Sequence, residues 1–129
     1  MYMKLTILRA FLLTILLAVQ ANAETEQIDV GTLIDRVIAG EDFSGQVIIL
    51  SGVALNQTTS RDRLVAVGTR ATYQSGAYSN LISVYDTSVK IEKGTNVKIL
   101  VLVEISMAAT LGGKSFVTIE TAFRECISC

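Results

Sequence analysis

The sequence predicts a mainly β protein, a small five-stranded Greek-key barrel preceded by one short amphipathic helix. Half of the residues are hydrophobic, mostly aliphatic and often β-branched, and the chain contains neither proline nor tryptophan. This composition favours strands. Short apolar runs are separated by segments containing glycine, asparagine and serine, as turns separate strands. The stretch "VKILVLVEI" alternates with period two, the spacing of a strand with one buried face.

The first 23 residues have the pattern of a secretory signal peptide. Lys4 and Arg9 give a positive start, an apolar run follows, and Ala21 and Ala23 are small residues at the cleavage positions. The apolar run is about half the ~20 residues that a membrane-spanning helix needs. We therefore expect a signal peptide at 1–23 and a single mature domain at 24–129, located in the periplasm or secreted, with no membrane span after cleavage.

Charge argues against one class of function. Removing Lys4 and Arg9 leaves nine basic against twelve acidic residues, a net charge of −3 for the mature chain. Proteins that bind nucleic acid through its phosphates show a basic excess. Nucleic acid is therefore an improbable partner, and about 100 residues form one domain with one modest core.

The helix is predicted in "IDVGTLIDRVIAG", at residues 28–40. Its apolar residues recur at helical spacing, Thr32 and Asp35 form a candidate capping pair, and Gly40 is a suitable stop. A polar lead precedes it.

Five strands are predicted, at 43–56, 63–70, 81–86, 97–105 and 116–123. Gly52 interrupts the first and indicates a bulge or bend. In the second, the alternation leaves open whether Leu64 and Ala66 or Val65 and Val67 face the core. The intervening segments are expected to be loops: a polar one at 56–62 in which Thr58 tolerates substitution, a hairpin loop at 71–80, a connector at 87–96, and a loop at 106–115 that turns at Gly112 and Gly113.

The fourth strand has two distinct faces. One is apolar throughout and is predicted to be core; it consists of Val97, Ile99, Val101, Val103 and Ile105. The opposite face carries Leu100 and Leu102, so its middle needs a cover. The amphipathic helix is one candidate and a second subunit is the other, so a homodimer is possible.

Two stretches resemble a known family. "FSGQVIILSGVALN" and "KIEKGTNVKILVLVE" are similar to the first and fourth strands of bacterial periplasmic OB-fold proteins, including the tRNA-anticodon-like OB-fold family. The resemblance spans about 28–126 and implies an OB-fold barrel. The chain departs from the pattern at 87–94, which is too short for the helix that such folds often place between strands three and four.

The residues needed for common catalytic chemistry are missing from the sequence. With no histidine, a Ser-His-Asp triad cannot form, and two cysteines do not complete a four-ligand zinc shell. The adjacent carboxylates Glu41 and Asp42 are typical of solvated charges. We therefore predict no enzyme activity and no catalytic, cofactor-binding or metal-binding residue.

A candidate ligand face lies around the second and third strands, where OB-folds commonly bind oligonucleotides or oligosaccharides. Tyrosines stack on bases or sugars and arginines add charge. An alternative is structural: Tyr85 packs against the barrel and the loop tyrosines cover its end. The candidate residues are Arg61, Arg63, Arg70, Tyr73, Tyr78 and Tyr85.

Together these features predict an exported, non-catalytic binding or assembly module. Its partner is an unknown exported protein or small ligand. The alternative function is an OB-fold protein that binds single-stranded nucleic acid or oligonucleotides.

The only cysteines, Cys126 and Cys129, form a C-x-x-C motif that ends the chain. In an oxidising compartment they are expected to pair locally, although an intermolecular bridge is also open. A redox site is not expected, since no βαβ unit or following helix is available to activate a thiolate.

Overall fold

A computed structural model describes residues 25–78 and 80–129, so the predicted signal peptide and Glu24 lie outside the described residues. The protein is mainly β, as the sequence predicts, with 48% of the described residues in strands and 14% in helices. The elements in chain order are β1 (Gln27–Asp29), α1 (Val30–Ile38), β2 (Val47–Ala54), β3 (Val65–Gly68), α2 (Arg70–Ser75), β4 (Ile82–Tyr85), β5 (Asn96–Leu111) and β6 (Lys114–Ser128).

The strands form one sheet in which five of the six make a ring. The order is β1-β2-β3-β4-β6-β5, and β2 also pairs with β5, which closes the ring. The β4–β6 pair is parallel, and the other pairs within the ring are antiparallel. β1 adds to β2 in parallel outside the ring. The five predicted strands are the five ring strands, whereas β1 was not expected.

One edge of β2 changes neighbour at its glycine, since β1 pairs with Ile49–Ser51 and β3 with Val53 and Ala54. The strand pairs with β5 from Val47 to Val53. A Cβ atom on Gly52 would lie 2.7 Å from both the Gly68 carbonyl oxygen and Val67 Cγ1. Only a residue without a side chain fits at this crossing, where the sequence indicates a bend.

The core lies inside the ring, and α1 contributes to it. Val30, Leu33, Ile34 and Val37 belong to the same buried cluster as the inward side chains of the ring strands. The prediction that α1 covers the outer face of β5 is therefore wrong: Leu100 and Leu102 stay half-buried there. The helix instead directs its apolar side chains into the core that the inward side chains of the ring strands form.

The start of α1 differs from the sequence prediction. Asp29 is the N-cap, with its carboxylate accepting hydrogen bonds from the Thr32 backbone N–H (3.0 Å) and from Thr32 Oγ1 (2.7 Å). The expected Thr32–Asp35 pair does not form because Thr32 is already inside the helix. Gly40 follows the last turn with φ of 104°, the left-handed conformation that glycine adopts without strain.

The segment after β3 contains a helix where a hairpin loop was predicted. Thr69 caps α2 by accepting a hydrogen bond from the Thr72 N–H, and Gly76 ends the helix in the left-handed conformation. In β3, Val65 and Val67 are buried, so they, rather than Leu64 and Ala66, face the core. The connector from β4 to β5 contains no helix, as its length indicated.

The hairpin of β5 and β6 is much longer than predicted. Both strands continue to a turn at Gly112 and Gly113, so the expected loop at 106–115 is mostly strand. A register shift between Val103 and Ile105 marks a bulge. Because the extra residue reverses the alternation, Ile105 is exposed rather than in the predicted core.

Candidate functional site

A cavity of about 370 Å³ lies around Gly52, next to the point where β2 pairs with both β5 and β3. It is referred to below as the Arg70 cleft. Its floor is the backbone at Gly52, and its walls come from β1, α2, β5 and the end of β6. The lining residues are Asp29, Val30, Ser51, Gly52, Val53, Gly68, Thr69, Arg70, Asn96, Val97, Lys98 and Ser128.

The guanidinium of Arg70 is held in a defined position. Its Nη2 donates to Asn96 Oδ1 at 2.6 Å, and its Cζ lies 5.5 Å from the centre of the Tyr73 ring. Gly94 allows this arrangement, because a Cβ at its φ of 86° would meet Tyr73 Oη at 2.7 Å. A cation placed over an aromatic ring and bonded to an amide loses less side-chain entropy when it binds a ligand.

Lys98 adds a second positive charge to the cleft. It lies two residues after Asn96 on the same face of β5, at a spacing of about 7 Å. Among the described residues, the ion pairs involve only Arg36 and Lys90, so neither Arg70 nor Lys98 has a carboxylate partner. This side of the cleft therefore presents two cations to any ligand.

Asp29 supplies a negative charge to the lining of the cleft. The backbone and hydroxyl of Thr32 hydrogen-bond its carboxylate and hold the pKa of Asp29 below its usual range. The carboxylate is therefore ionised at neutral pH while it caps α1. The lining combines two cations, one anion, and neutral donors and acceptors.

A second cavity, of about 620 Å³, lies between the loop after β2 and the connector after β4. Arg63 and Lys90 are its cations, and Lys90 Nζ lies 3.8 Å from Glu92 Oε1. Many of its hydroxyls already have partners within the fold. Thr58 shows this most clearly: it is buried, and its Oγ1 accepts from the Ile91 N–H at 2.8 Å. The expectation that Thr58 tolerates substitution is therefore wrong.

The six predicted ligand-face residues divide between the two ends of β3. Arg61, Arg63 and Tyr85 lie at the end where β3 begins, because β3 and β4 are antiparallel with Val65 opposite Val84. Arg70, Tyr73 and Tyr78 follow the end of β3, some 13 Å away along a four-residue strand. Tyr78 and Tyr85 are both exposed. Only Arg70 and Tyr73 contact each other in a way that builds a site.

Sequence reasoning missed most of the Arg70 cleft. Asn96 was assigned only to the connector at 87–96, Lys98 to the outer face of a strand, and Asp29 to the predicted helix segment at 28–40. Their meeting depends on the pairing of Ser51 with both Asp29 and Lys98 across three strands, for which no local signal exists.

The β5–β6 hairpin extends beyond the ring as an arm, defined as residues 105–111 of β5 and 114–119 of β6. β2 pairs with β5 only as far as Leu102, and β4 pairs with β6 only from Glu120. Its outward face exposes large apolar side chains. They are Ile105 (36% exposed), Met107 (60%), Leu111 (75%) and Phe116 (55%).

Cys126 and Cys129 form a disulfide with each other at the end of β6, where Cys126 lies opposite Ile99. The predicted local pairing therefore agrees with the structure. The bridge encloses the end of β6, where Ser128 lines the Arg70 cleft.

The adjacent carboxylates Glu41 and Asp42 serve the fold. Glu41 pairs with Arg36, and Asp42 accepts a hydrogen bond from the Ser44 N–H, and each contact lowers the pKa of its carboxyl. Across 25–78 and 80–129, no three cysteine or acidic side chains come together as metal ligands. Within the same residues, neither helix has the length and apolar character needed to cross a bilayer.

Comparison of the chain with protein-family models, with curated proteins and with solved structures gives no match.

Proposed function

We propose that the chain is an exported, non-catalytic binding module built on a barrel of the OB-fold kind, and that the Arg70 cleft holds its ligand. The strand order supports the barrel assignment. A ring in which the first strand pairs with the second and fourth, and the third with the fifth, is the connectivity of a five-stranded Greek-key barrel. Export rests on the signal-peptide pattern at 1–23.

One observation carries the choice of site: a fixed arginine and a lysine line the same cleft, and neither pairs with a carboxylate of the described residues. Arg70 is positioned by Asn96 and Tyr73, and Lys98 lies on the same face of β5. Such a pair fits an anionic group, while the serine, threonine and asparagine side chains of the lining fit hydroxyl or amide groups. The ligand class is therefore a polar molecule or peptide that carries an anionic group.

Capture from a native extract tests this proposal. Immobilised mature protein is exposed to the host's periplasmic or secreted fraction, and bound species are identified by mass spectrometry. A double variant, Arg70→Ala with Lys98→Ala, is expected to lose the captured species, whereas Arg63→Ala in the second cavity retains it. Retention by the double variant together with loss by Arg63→Ala would assign binding to the second cavity.

The alternative function is binding of single-stranded nucleic acid. The stacking of Arg70 on Tyr73 favours it, since cations and aromatic rings are the groups that hold unpaired bases and phosphates. Against it stand the net charge of −3 and the separation of Arg63 from Arg70. Gel mobility of a single-stranded DNA oligonucleotide at low salt decides between the two functions, and a shift that disappears in Arg70→Ala would favour the alternative.

A further inference from the structure

We propose that the arm is a dimer interface, and that its apolar outer face packs on the same face of a second copy with the two arms antiparallel. This inference is independent of the Arg70 cleft. It rests on the composition of the arm, the exposure of its side chains and the distribution of its charges.

Cross-strand pairing defines which side chains share the outer face. Ile105 lies opposite Glu120, Met107 opposite Thr118, Ala109 opposite Phe116, and Leu111 opposite Lys114. The opposite face continues the core, because Ile119 is buried and Val117 packs against the core. The outer face is thus apolar along β5 and at Phe116, with charged residues only at its two ends.

The exposed apolar surface of the arm is large for its size. The four large side chains expose 36–75% of their area, roughly 400 Å² together. A patch of this size on a small monomer is often functional. A standard interface buries about 800 Å² per partner. The apolar side chains provide about half of that, and Ala109, Thr118 and the arm backbone are available for the rest.

A second copy is the occupant that the charges fit. The tip of the arm carries Lys114, and the base carries Glu104 and Glu120. In an antiparallel arrangement each tip lies over the base of the other arm, so Lys114 of each copy faces Glu120 of the other. A parallel arrangement would place like charges together, at a cost in affinity.

Side-chain size also fits self-association. With the two-fold axis at the level of Ala108, the large Met107 lies over the small Ala109 of the second copy. Two sheets pack face to face at about 10 Å when large and small side chains alternate across the interface. The segment 105–111 contains no charged residue, so the centre of the interface buries no unpaired charge.

The arm also gains stability from such a partner. A two-stranded ribbon is only marginally stable in water, and a second layer packed on it supplies apolar contacts that the ring does not provide to the arm. The tip of the arm, around Leu111, lies beyond the region where β2 and β4 pair with the hairpin.

Sedimentation equilibrium of the mature chain tests the interface. We expect a reversible dimer at protein concentrations of about 100 μM or below. Met107→Glu should raise the dissociation constant by at least about a hundredfold, because each copy would bury a carboxylate without a partner. Val89→Glu is the matched control: Val89 is also an exposed apolar residue, but it lies in the connector after β4. It should leave dimerisation unchanged.

Charge reversal tests the orientation. Lys114→Glu and Glu120→Lys should each weaken the dimer about tenfold, and the double reversal should restore most of the affinity. The circular dichroism spectrum of each variant, compared with wild type, separates lost association from lost folding. A monomer at every concentration, or a dimer unaffected by Met107→Glu, would overturn the interface. A double reversal that binds no better than the two single reversals would overturn the antiparallel arrangement.

Discussion

The glycine at the crossing of three strands gives the sharpest test of the fold. A Cβ on Gly52 would lie 2.7 Å from the Gly68 carbonyl oxygen, from Val67 Cγ1 and from Val30 Cγ2. Ordinary contacts are about 3.5–4.0 Å. The valine side chains have some freedom to move, but a backbone carbonyl in a paired strand does not. Gly52→Ala should therefore force β2 and β3 apart at the point where their pairing begins.

The expected cost is at the upper end of overpacking penalties, about 3 kcal/mol. The more restricted unfolded chain of the alanine variant offsets it by only about 0.4–1 kcal/mol. For a domain of about 100 residues, the net loss lowers the melting temperature by roughly 10–20 °C. Urea unfolding followed by circular dichroism, with calorimetry, measures both quantities.

Gly31→Ala is the matched control. Gly31 lies in α1, its added Cβ would be 3.3 Å from Asp29 Oδ1, and alanine is about 1 kcal/mol better than glycine inside a helix. We expect it to be neutral or slightly stabilising. Equal stability of Gly52→Ala and wild type would mean that the backbones of β2 and β3 do not approach each other so closely at Gly52.

Three further predictions concern the core, the helix cap and the disulfide. Val101→Asp places a carboxylate at a fully buried position and should cost several kcal/mol in urea unfolding, whereas Ser60→Asp in the exposed loop should be near neutral. Asp29→Ala removes the α1 cap and should cost about 1 kcal/mol, with Asp29→Asn retaining most of it. The pKa of Asp29 is lowered in the folded state, so the stabilisation that depends on its charge is present above pH ~4 and is lost as pH falls through the native pKa. The urea midpoint of Asp29→Asn should therefore fall less steeply below about pH 4 than that of wild type. The Cys126–Cys129 bridge closes only a very short loop, so its reduction should lower the free energy of unfolding by no more than about 2 kcal/mol. A larger loss of unfolding free energy with reductant would contradict a purely local role for the bridge.

The parts of the fold that were predictable are those with a strong local pattern. The alternation from Val97 to Val103 identified the core face of β5, and the apolar spacing of α1 identified the helix. The glycines at 112 and 113 marked the hairpin turn. In each case the signal comes from residues adjacent in sequence, whose side chains are constrained by the same element.

The parts that were missed depend on distant pairing or on a weak pattern. β1 has three residues and exists because Gln27–Asp29 pairs with β2. In the arm, small and polar residues such as Ser106 and Ala108 blur the alternation, and the bulge after Val103 reverses it. α2 did carry local signals, the Thr69 cap and the stop at Gly76, but serine and glycine nearby favoured a loop.

The candidate site was only partly predictable for the same reason. Arg70 and Tyr73 were identified because arginine and tyrosine are typical of ligand surfaces. Asn96 reaches Arg70, and Lys98 reaches the same cleft, through the pairing of β2 with β5, which no short window of sequence contains.

A chemical-shift map of the captured ligand on isotope-labelled mature protein tests the central claim most directly. If the Arg70 cleft is the binding site, the amides of residues 51–53, 69–70 and 96–98 shift on titration, and the effect is lost in the Arg70→Ala, Lys98→Ala variant. Shifts confined to residues 57–60 and 87–90, and unchanged in that variant, would place the ligand in the second cavity and contradict the account.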